Sequence, residues 1–272
     1  MKIGFLGFGE VASTLSQGLL KEGLEVSTSI KGRSPRTVIK AKKSGVNLIN
    51  SNEELARNCQ ILLSTVVPKN AVKVAHEIGD SFSGIYVDLN NVGPATVRKC
   101  MKYQTNSKFV DAAIIGSISS GIKTPIIASG KYASEFEKLN DYGMKIEVIG
   151  DEVGQASSIK LLRSSYTKGL AALLFETLMA AYKLDLDEKV LEYISRTECP
   201  DFKNSSKSRI ISSVFHSKRR SQEMEEIIQF LSDLNEPVMN QATLKFYEKL
   251  NSNLDPFERR PESYIEIFNR LK

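Results

Sequence analysis

The sequence predicts an α/β fold, with a doubly wound and mostly parallel sheet, followed by an all-helical domain. In the first half, short apolar runs alternate with amphipathic stretches, and a glycine-rich turn follows the first run. From about Gly154 onward the pattern is helical alone. Nearly continuous apolar strands that alternate with helices are typical of a sheet covered on both faces, and right-handed crossovers make it doubly wound. We expect two domains, spanning residues 1–153 and 154–272.

Eight apolar runs are expected to form the strands. In chain order they are Lys2–Leu6, Leu24–Ser27, Val46–Leu48, Ile61–Val66, Ile85–Leu89, Phe109–Ile115, Pro125–Ala128 and Ile146–Ile149. Between the first two, Val11, Leu15 and Leu19 recur at a spacing that places them on one face of a helix. Further helices of this half are expected at Thr37–Lys43, Asn52–Asn58 and Asn70–Ile78.

The second half is expected to begin with one long helix, from about Ala156 to Leu184. Its apolar residues recur every three or four positions, namely Ile159, Leu162, Tyr166, Leu170, Leu174 and Leu178. Later helices are predicted at Asp187–Ser195, Lys207–Phe215, Met224–Leu234 and Val238–Asn251.

The composition is that of a globular protein. The chain has 272 residues, of which 41% are hydrophobic and 25% charged. These values exclude disordered, collagen-like and coiled-coil chains as overall classes. Lysine and arginine number 37 against 32 acidic residues, a surplus of +5 that is small for this length. Nucleic-acid binders concentrate a larger excess on one face, so no nucleic-acid partner is expected.

Three cysteines, Cys59, Cys100 and Cys199, lie far apart, and no pair has the spacing of a zinc site. Reduced and mostly buried thiols are expected, which fits a reducing compartment. The first apolar run is too short for a signal peptide. The most apolar later stretch, Gly169 to Tyr182, is interrupted by Glu176 and is too short to span a bilayer. We expect a soluble, cytoplasmic protein with no metal site and no membrane partner.

The glycine-rich turn follows the first predicted strand. It contains Gly7-x-Gly9-x-x-Ala12, the pattern of Rossmann-type dinucleotide-binding domains. The first glycine permits a tight turn, the second lets the backbone approach a pyrophosphate, and the small third residue lets the helix pack on the strand. The helix N-terminus adds free N–H groups. The predicted cofactor contacts are Gly7, Phe8, Gly9, Glu10 and Val11; a purely structural glycine turn is the alternative.

The loop after the second predicted strand indicates which dinucleotide binds. An NAD site places Asp or Glu about 20 residues after the glycine turn, to bond the ribose 2′-hydroxyl. Here residues 27–34 include no acid, and the loop carries Lys31, Arg33 and Ser34. A guanidinium pairs with a phosphate through two hydrogen bonds, and a hydroxyl adds a donor. We predict NADP (NADPH) as the cofactor; a solvated basic loop is the alternative.

Together with four later segments, the glycine turn resembles the β-hydroxyacid dehydrogenase family, which includes 6-phosphogluconate and 3-hydroxyisobutyrate dehydrogenases. The later segments are Ser64–Pro68, Asp88–Thr96, Asp111–Ser117 and Gly154–Lys160. They resemble, in order, the family's strand-end loop beside the nicotinamide ribose, Asp-x-Ser-Thr-x-x-Pro-x-Thr, Asp-Ala-Pro-Val-Ser-Gly-Gly and Gly-x-Gly-x-x-x-Lys. The resemblance spans about Lys2 to Ser165, and the run Lys160–Gly169 is similar to a small archaeal-type branch with a distinct helical C-terminal domain.

The resemblance implies a role for Lys160, which in the family is the general acid/base that exchanges a proton with the substrate hydroxyl. Lysines that are removed from water can lose several pKa units, which suits such a role; a charged residue on a helix surface is the alternative. The resemblance also implies that Val67, Pro68 and Asn91 contact the cofactor. The implied substrate contacts are Asn91, Gly116, Ser117, Ser164 and Ser165.

The substrate end departs from the family pattern. Ile115 stands where the family has a Ser that helps to hold a carboxylate, and an apolar side chain donates no hydrogen bond. Ser117 replaces the second Gly, Asn90 and Asn91 replace Ser-Thr, and Ser164 replaces an Asn. The familiar substrates are therefore not transferred, although the remaining polar residues favour a small anionic or hydroxylated substrate.

The expected function is hydride transfer between the nicotinamide and a hydroxyl or carbonyl carbon of a small hydroxyacid-like substrate, by an NADP-dependent oxidoreductase. Two alternatives remain open, an imine reductase on the same scaffold and a nucleotide-binding sensor without turnover. In related proteins two helical domains associate, so the resemblance also implies a homodimer. Asp111 is expected to support the loop after its strand.

Overall fold

A computed structural model describes residues 1–198, 201–234, 236–254 and 257–271. The chain divides into two compact units, Met1–Lys160 and Leu161–Lys272. The domain boundary expected after residue 153 stays a prediction. One long helix, Gln155–Tyr182, begins in the first unit and continues into the second.

One sheet forms the centre of the first unit. Its strands are β1 (Lys2–Leu6), β2 (Glu25–Ser29), β3 (Asn47–Ile49), β4 (Ile61–Ser64), β5 (Ile85–Asp88), β6 (Lys108–Ile114), β7 (Pro125–Ser129) and β8 (Lys145–Gly150). They lie in the order β3-β2-β1-β4-β5-β6-β7-β8. Neighbours pair in parallel except β6 and β7, which are antiparallel. The expected mostly parallel α/β fold is confirmed. Every predicted strand is present, β1 with the predicted bounds and the others with ends that differ by one or two residues.

The helices of the first unit connect these strands. They are α1 (Glu10–Lys21), α2 (Pro35–Lys43), α3 (Asn52–Asn58), α4 (Ala71–Ile78), α5 (Pro94–Lys102) and α6 (Ala133–Glu137). Short 3-10 helices lie at Pro68–Asn70, Gly79–Ser81, Ile118–Lys123 and Lys138–Tyr142. Periodicity predicts neither α5 nor α6, because α5 buries only a thin line of side chains and α6 is too short to show a repeat.

Two buried clusters cover the two faces of the sheet. Phe5 and Leu15 belong to one cluster, and Leu6 and Tyr86 belong to the other. All four side chains are fully buried, and complete burial of one leucine stabilises a fold by about 2 kcal/mol. The alternation of Phe5 and Leu6 between the two clusters explains why β1 is apolar throughout, as the sequence predicts for a sheet covered on both faces.

The long helix and the second unit contain α7 (Gln155–Tyr182), α8 (Asp187–Ser195), α9 (Phe202–Phe215), α10 (Ser217–Ser232), α11 (Val238–Asn253) and α12 (Tyr264–Arg270). Within the described part of this unit there is no strand, as expected. Two helices begin earlier than predicted, α9 at Phe202 and α10 at Ser217, because the residues that follow each start are polar and carry no apolar repeat. Helix α12 is not predicted at all.

The apolar stripe of α7 is only partly buried. In its second half, Leu174 and Leu178 are 4% and 0% exposed and belong to the core of the second unit. In its first half, Leu162 and Tyr166 are 49% and 69% exposed. Leu173, one residue before the buried Leu174, is 60% exposed. The periodicity therefore predicts the helix correctly, although half of the stripe faces away from the core of its own chain.

Two of the cysteine thiols are buried and free, those of Cys59 and Cys100. Burial raises the pKa of the Cys59 thiol to about 11, which keeps it protonated. Cys199 lies outside the described residues. Among the described residues, no helix is long and apolar enough to cross a membrane, and no group of three His, Cys, Asp or Glu side chains is arranged to hold a metal ion.

Candidate active site

The candidate site lies at the carboxyl edge of the sheet. Leu6 at the end of β1 is in register with Ser64 at the end of β4, and Ser64 is in register with Asp88 at the end of β5. Asp88 is in turn aligned with Asp111 on β6. Because these strands run in parallel, the loops after β1, β4 and β5 adjoin one another, as in the crevice where open α/β sheets bind ligands.

The turn after β1 requires its first glycine. Gly7 has a φ of +89°, and a Cβ there would lie 2.9 Å from Val66 Cγ1 and 3.0 Å from the carbonyl oxygen of Thr65. The Thr65 hydroxyl donates a hydrogen bond to the carbonyl of Gly7 (3.0 Å). The turn is therefore held tightly against the loop that follows β4. Phe8 is buried and contacts Phe5 edge-on, so only its backbone is available to a ligand.

The second glycine opens a cradle at the start of α1. A Cβ at Gly9 would meet no heavy atom within 4 Å, and no side chain caps the first turn of α1. By contrast, Ser34 caps α2 and Ser51 caps α3. The first N–H groups of an uncapped helix, at Glu10 and beyond, bind anions well. The residues present therefore fit the pyrophosphate of a dinucleotide.

The basic loop after β2 is partly organised by its neighbours. Lys31 is exposed, whereas Arg33 is half-buried. Arg33 Nη2 donates a long hydrogen bond to Asn52 Oδ1 (3.4 Å), and its Nε is buried without a partner. The Ser34 hydroxyl accepts a hydrogen bond from the N–H of Thr37 (3.3 Å) as the cap of α2. Arg33 is therefore the basic residue of this loop that the structure holds in place.

Beyond the glycine turn, the loops after β4 and β5 supply the remaining predicted cofactor contacts. Val67 is 54% exposed, and Pro68 follows it as the first residue of a 3-10 helix. Asn91 is half-buried, next to Asn90. Asn90 is buried, and its Nδ2 donates to the Ser64 hydroxyl (2.9 Å). The two asparagines that stand in place of Ser-Thr therefore differ in their surroundings. Asn90 is buried and bonds the end of β5 to the end of β4, whereas Asn91 is partly exposed.

The buried carboxyl group of Asp88 stabilises the turn after β5. Its Oδ1 accepts a hydrogen bond from the N–H of Asn90 (3.0 Å). Burial raises the pKa of the Asp88 carboxyl to about 6; the bond from Asn90 opposes this shift, and the nearby Asp111 carboxylate adds to it. The sequence motif points to this Asp, but its position against a second carboxylate follows only from the strand register.

Asp111 caps the start of α7. Its Oδ2 accepts from the N–H groups of Gly154 (2.9 Å) and Ser157 (3.1 Å), and from the hydroxyls of Ser157 (3.0 Å) and Ser129 (3.3 Å). Burial raises the pKa of Asp111, and these hydrogen bonds oppose the shift. The expectation that Asp111 supports the loop after its own strand is wrong. Its partners are Ser129 on the antiparallel neighbour β7, Gly154 just before the long helix and Ser157 in its first turn.

This cap fixes the orientation of the helix that carries Lys160. Ala156 is buried against Ala113 and Ile127, in a small apolar cluster that Ile115 also joins. Lys160 follows Ala156 by about one turn and lies on the same face of α7. It is half-buried. The cluster also accounts for Ile115, whose apolar side chain packs where the family has a polar one.

The predicted substrate contacts divide between the two units. In the first unit, Gly116 has a φ of +100° and Ser117 is exposed, where its hydroxyl accepts from the N–H of Ser119 (3.2 Å). In the second unit, Ser164 is half-buried on α7, and the Ser165 hydroxyl donates to Asn240 Oδ1 (2.7 Å). Ser165 is thus already engaged within its own unit.

Comparisons with known proteins agree with this geometry. Residues 2–92 match a family described as NADP oxidoreductase, coenzyme F420-dependent, and residues 181–250 match a domain of unknown function, DUF1932. An uncharacterised 28.5 kDa protein of Methanothermus fervidus is 45% identical, over 92% of this chain and 99% of that protein. A solved structure of a conserved protein of unknown function, described as similar to 3-hydroxyacid dehydrogenases, is 47% identical with a TM-score of 0.82, covering 93% of this chain and 97% of that one.

The chain belongs to the β-hydroxyacid dehydrogenase family. It is therefore a member of a family of oxidoreductases that bind nicotinamide dinucleotides. A more distant relative is pyrroline-5-carboxylate reductase 2 of Bos taurus, 25% identical over 171 residues, which are 59% of this chain and 51% of that protein. That match spans about half of the reductase.

Proposed function

We propose that this protein is an NADP-dependent oxidoreductase that interconverts a hydroxyl and a carbonyl group on a small hydroxyacid-like substrate, with Lys160 as its general acid/base. The observation that carries the proposal is the anchored start of α7. Asp111 on β6 binds the first turn of α7, and Ala156 packs against Ala113 on β6 and Ile127 on β7. Together these contacts fix the start of the helix that carries Lys160.

The bound dinucleotide supplies or accepts a hydride. Lys160 acts as the general acid/base. In oxidation it accepts the proton of the substrate hydroxyl, and in reduction it donates a proton to the carbonyl oxygen. The proposed cofactor contacts beyond the glycine turn are Val67, Pro68 and Asn91. The proposed substrate contacts are Asn91, Gly116 and Ser117 in the first unit, and Ser164 and Ser165 in the second; their hydroxyl and amide groups favour an anionic substrate.

A screen of hydroxyacids, sugar acids and their oxo forms, followed by NADPH absorbance, tests this proposal. Lys160→Ala should lower kcat by about a hundredfold or more on any substrate found, because it removes the proton-transfer group, and should leave NADPH binding unchanged. Lys99→Ala, an exposed lysine on α5, is the matched control. An unchanged kcat in Lys160→Ala would overturn the catalytic role, and NADPH binding without turnover of any substrate would favour a sensor.

The choice of NADP rests on the loop after β2. It lacks an acid to bond a ribose 2′-hydroxyl, and it holds Arg33 with a buried, unpartnered Nε that a phosphate oxygen would satisfy. The purified protein should bind NADPH at least tenfold more tightly than NADH, and Arg33→Ala should remove most of that difference. Arg57→Ala, at the far end of α3, is the matched control. Equal dissociation constants for the two nucleotides in the unaltered protein would refute NADP preference.

Imine reduction is the second candidate, and the match to a pyrroline-5-carboxylate reductase favours it, since a pyrroline is a cyclic imine. Cyclic imines therefore belong in the same screen. Reduction of an imine that does not depend on Lys160, with no activity on hydroxyacids, would decide for this candidate.

The exposed half of the α7 stripe supports a homodimer. Exposed apolar side chains at helical spacing are typical of a helix–helix interface, and here they are Ile159, Leu162, Tyr166 and Leu173. We also propose a cytoplasmic location, because the free, buried thiols of Cys59 and Cys100 suit a reducing compartment.

A further inference from the structure

We infer that Asn52 sets the preference for NADP by holding Arg33 at the adenosine ribose site and by separating it from Glu77. Asn52 is then a positioning residue, because it acts on the 2′-phosphate through Arg33. The inference rests on the proposed NADP dependence, and it assigns that specificity to residues on α3 and α4 that no nucleotide-binding motif contains.

Asn52 lies beside the basic loop because of the strand register. Ser29 at the end of β2 is paired with Ile49 at the end of β3, and the N–H of Ile30 donates to the carbonyl of Ile49 (3.0 Å). The chain then leaves β3 and enters α3 at Asn52. The first turn of α3 and the loop that carries Arg33 therefore share the carboxyl edge of the sheet, where an adenosine ribose binds in this fold.

The Asn52 side chain is buried and uses both ends of its amide. Its Oδ1 accepts hydrogen bonds from the Ser29 hydroxyl and from Arg33 Nη2 (3.4 Å). Its Nδ2 donates to Glu77 Oε1 (3.1 Å) on α4. The amide therefore lies between a cation and an anion, and its orientation is fixed because the Arg33 guanidinium can only donate to one end and the Glu77 carboxylate can only accept from the other.

This arrangement leaves Arg33 short of acceptors. A guanidinium has five N–H donors, and the described hydrogen bonds of the Arg33 guanidinium are one long bond to a neutral amide. Its Nε is buried without a partner. A buried donor without an acceptor costs free energy, and a phosphate accepts two N–H groups of one guanidinium at once. The site is thus prepared for an anion that the protein itself does not provide.

The nearby Glu77 explains why a spacer is needed. If the Asn52 amide were removed, the Arg33 guanidinium and the Glu77 carboxylate would both lose their partner. The two charges would then be free to pair with each other. Such a pair would occupy the donors of Arg33 and cancel the positive charge that a 2′-phosphate requires. Asn52 prevents this by bonding to each of them.

The experiment measures dissociation constants for NADPH and NADH by calorimetry on the purified full chain and on four variants. Asn52→Ala should weaken NADPH binding by about tenfold and change NADH binding by less than about twofold. The double variant Asn52→Ala, Glu77→Gln should recover most of the loss, because Arg33 then has no carboxylate to pair with. Asn58→Ala, an exposed asparagine at the other end of α3, is the control and should change neither constant.

Asn52→Asp keeps the shape of the side chain and decides the matter if Asn52→Ala does not fold. The new carboxylate would pair with Arg33 and repel a 2′-phosphate, so NADPH binding should fall further than in Asn52→Ala, while NADH binding is retained or improved. Adenosine 2′,5′-bisphosphate and AMP should show the same contrast, which locates the effect at the 2′-phosphate.

Each outcome has a distinct meaning. If the unaltered protein does not prefer NADPH, the proposed cofactor is wrong and the inference falls with it. If it does prefer NADPH and Asn52→Ala and Asn52→Asp retain the ratio of the two constants, the inference alone is wrong. Equal weakening of NADPH and NADH, with no recovery on changing Glu77, would mean that Asn52 only stabilises the fold, and would also overturn it.

Discussion

At the scale of single residues, the carboxyl edge of the sheet contains a buried carboxyl group with a raised pKa. Asp88 is 1% exposed, and its Oδ1 accepts a bond from the N–H of Asn90. Burial raises its pKa to about 6 from an ordinary value of 3.8, because the charged form loses its hydration. The motif that contains Asp88 is visible in the sequence, whereas the pKa of its carboxyl group depends on burial in the folded protein.

Asp88 should therefore make stability depend on pH. Between about pH 4 and pH 6 the folded state holds a proton that the unfolded state has lost, so the free energy of unfolding falls as the pH rises. Asn cannot ionise. Asp88→Asn should therefore gain about 3 kcal/mol relative to the unaltered protein between pH 4 and pH 7.5, from a pKa shift of about two units.

Urea denaturation at the two pH values measures this gain. Asp141→Asn, an exposed carboxylate on a 3-10 helix, is the control and should show a constant difference at both pH values. A difference for Asp88→Asn that does not change with pH would show that this carboxyl is ionised in the folded state.

At the scale of elements, the start of α7 depends on a carboxylate supplied by the sheet. Asp111 on β6 accepts hydrogen bonds from the N–H groups of both Gly154 and Ser157. Negative charge at a helix N-terminus also interacts favourably with the helix dipole. This contact links β6 to the helix that carries Lys160.

Removal of this cap should destabilise the first unit. Asp111→Ala leaves buried N–H groups without an acceptor and should lower the free energy of unfolding by about 3 kcal/mol. Ser157→Ala removes one of the donors to Asp111 and should cost about 1 kcal/mol. Urea denaturation at pH 7.5 measures both. Ser158→Ala, whose hydroxyl bonds only to the carbonyl of Gly154, is the control; an equal loss in all three variants would contradict the role of the cap.

Elements differ in how far the sequence predicts them. Strands β1 to β8 and the long helix are predicted because each contains an apolar run or stripe of its own. Burial is not complete in all of them, since β3 and the first half of the α7 stripe are only partly buried. Helix α12 is not predicted, since it is short, although Ser263 caps it by accepting from the N–H of Glu266 (3.3 Å). The starts of α9 and α10 are missed because the residues there are mostly polar and show no apolar repeat.

At the scale of the whole molecule, the proposed dimer is the feature that the exposed half of α7 supports. Leu162→Glu places a charge in the middle of this apolar stripe, where burial against a partner would leave it without hydration. The variant should shift the protein from dimer to monomer in light scattering at micromolar concentration.

Leu186→Glu is the matched control for this prediction. Leu186 is equally exposed, at 49%, but it precedes α8 and lies outside the α7 stripe. An interface along α7 would be contradicted if the unaltered protein is monomeric at this concentration. It would also be contradicted if the Leu162→Glu variant remains dimeric.

Periodicity and the glycine pattern suffice to predict all eight strands, the long helix and the glycine turn, because these depend on the spacing of apolar residues and on the absence of a Cβ. The sequence also determines the family, through five short segments in order. Only the tertiary structure decides which distant side chains meet. Asp111 reaches Gly154, and Asn52 stands between Arg33 and Glu77, because adjacent strands bring their ends into register. No local pattern records such contacts, since each partner alone is an ordinary polar residue on its own segment.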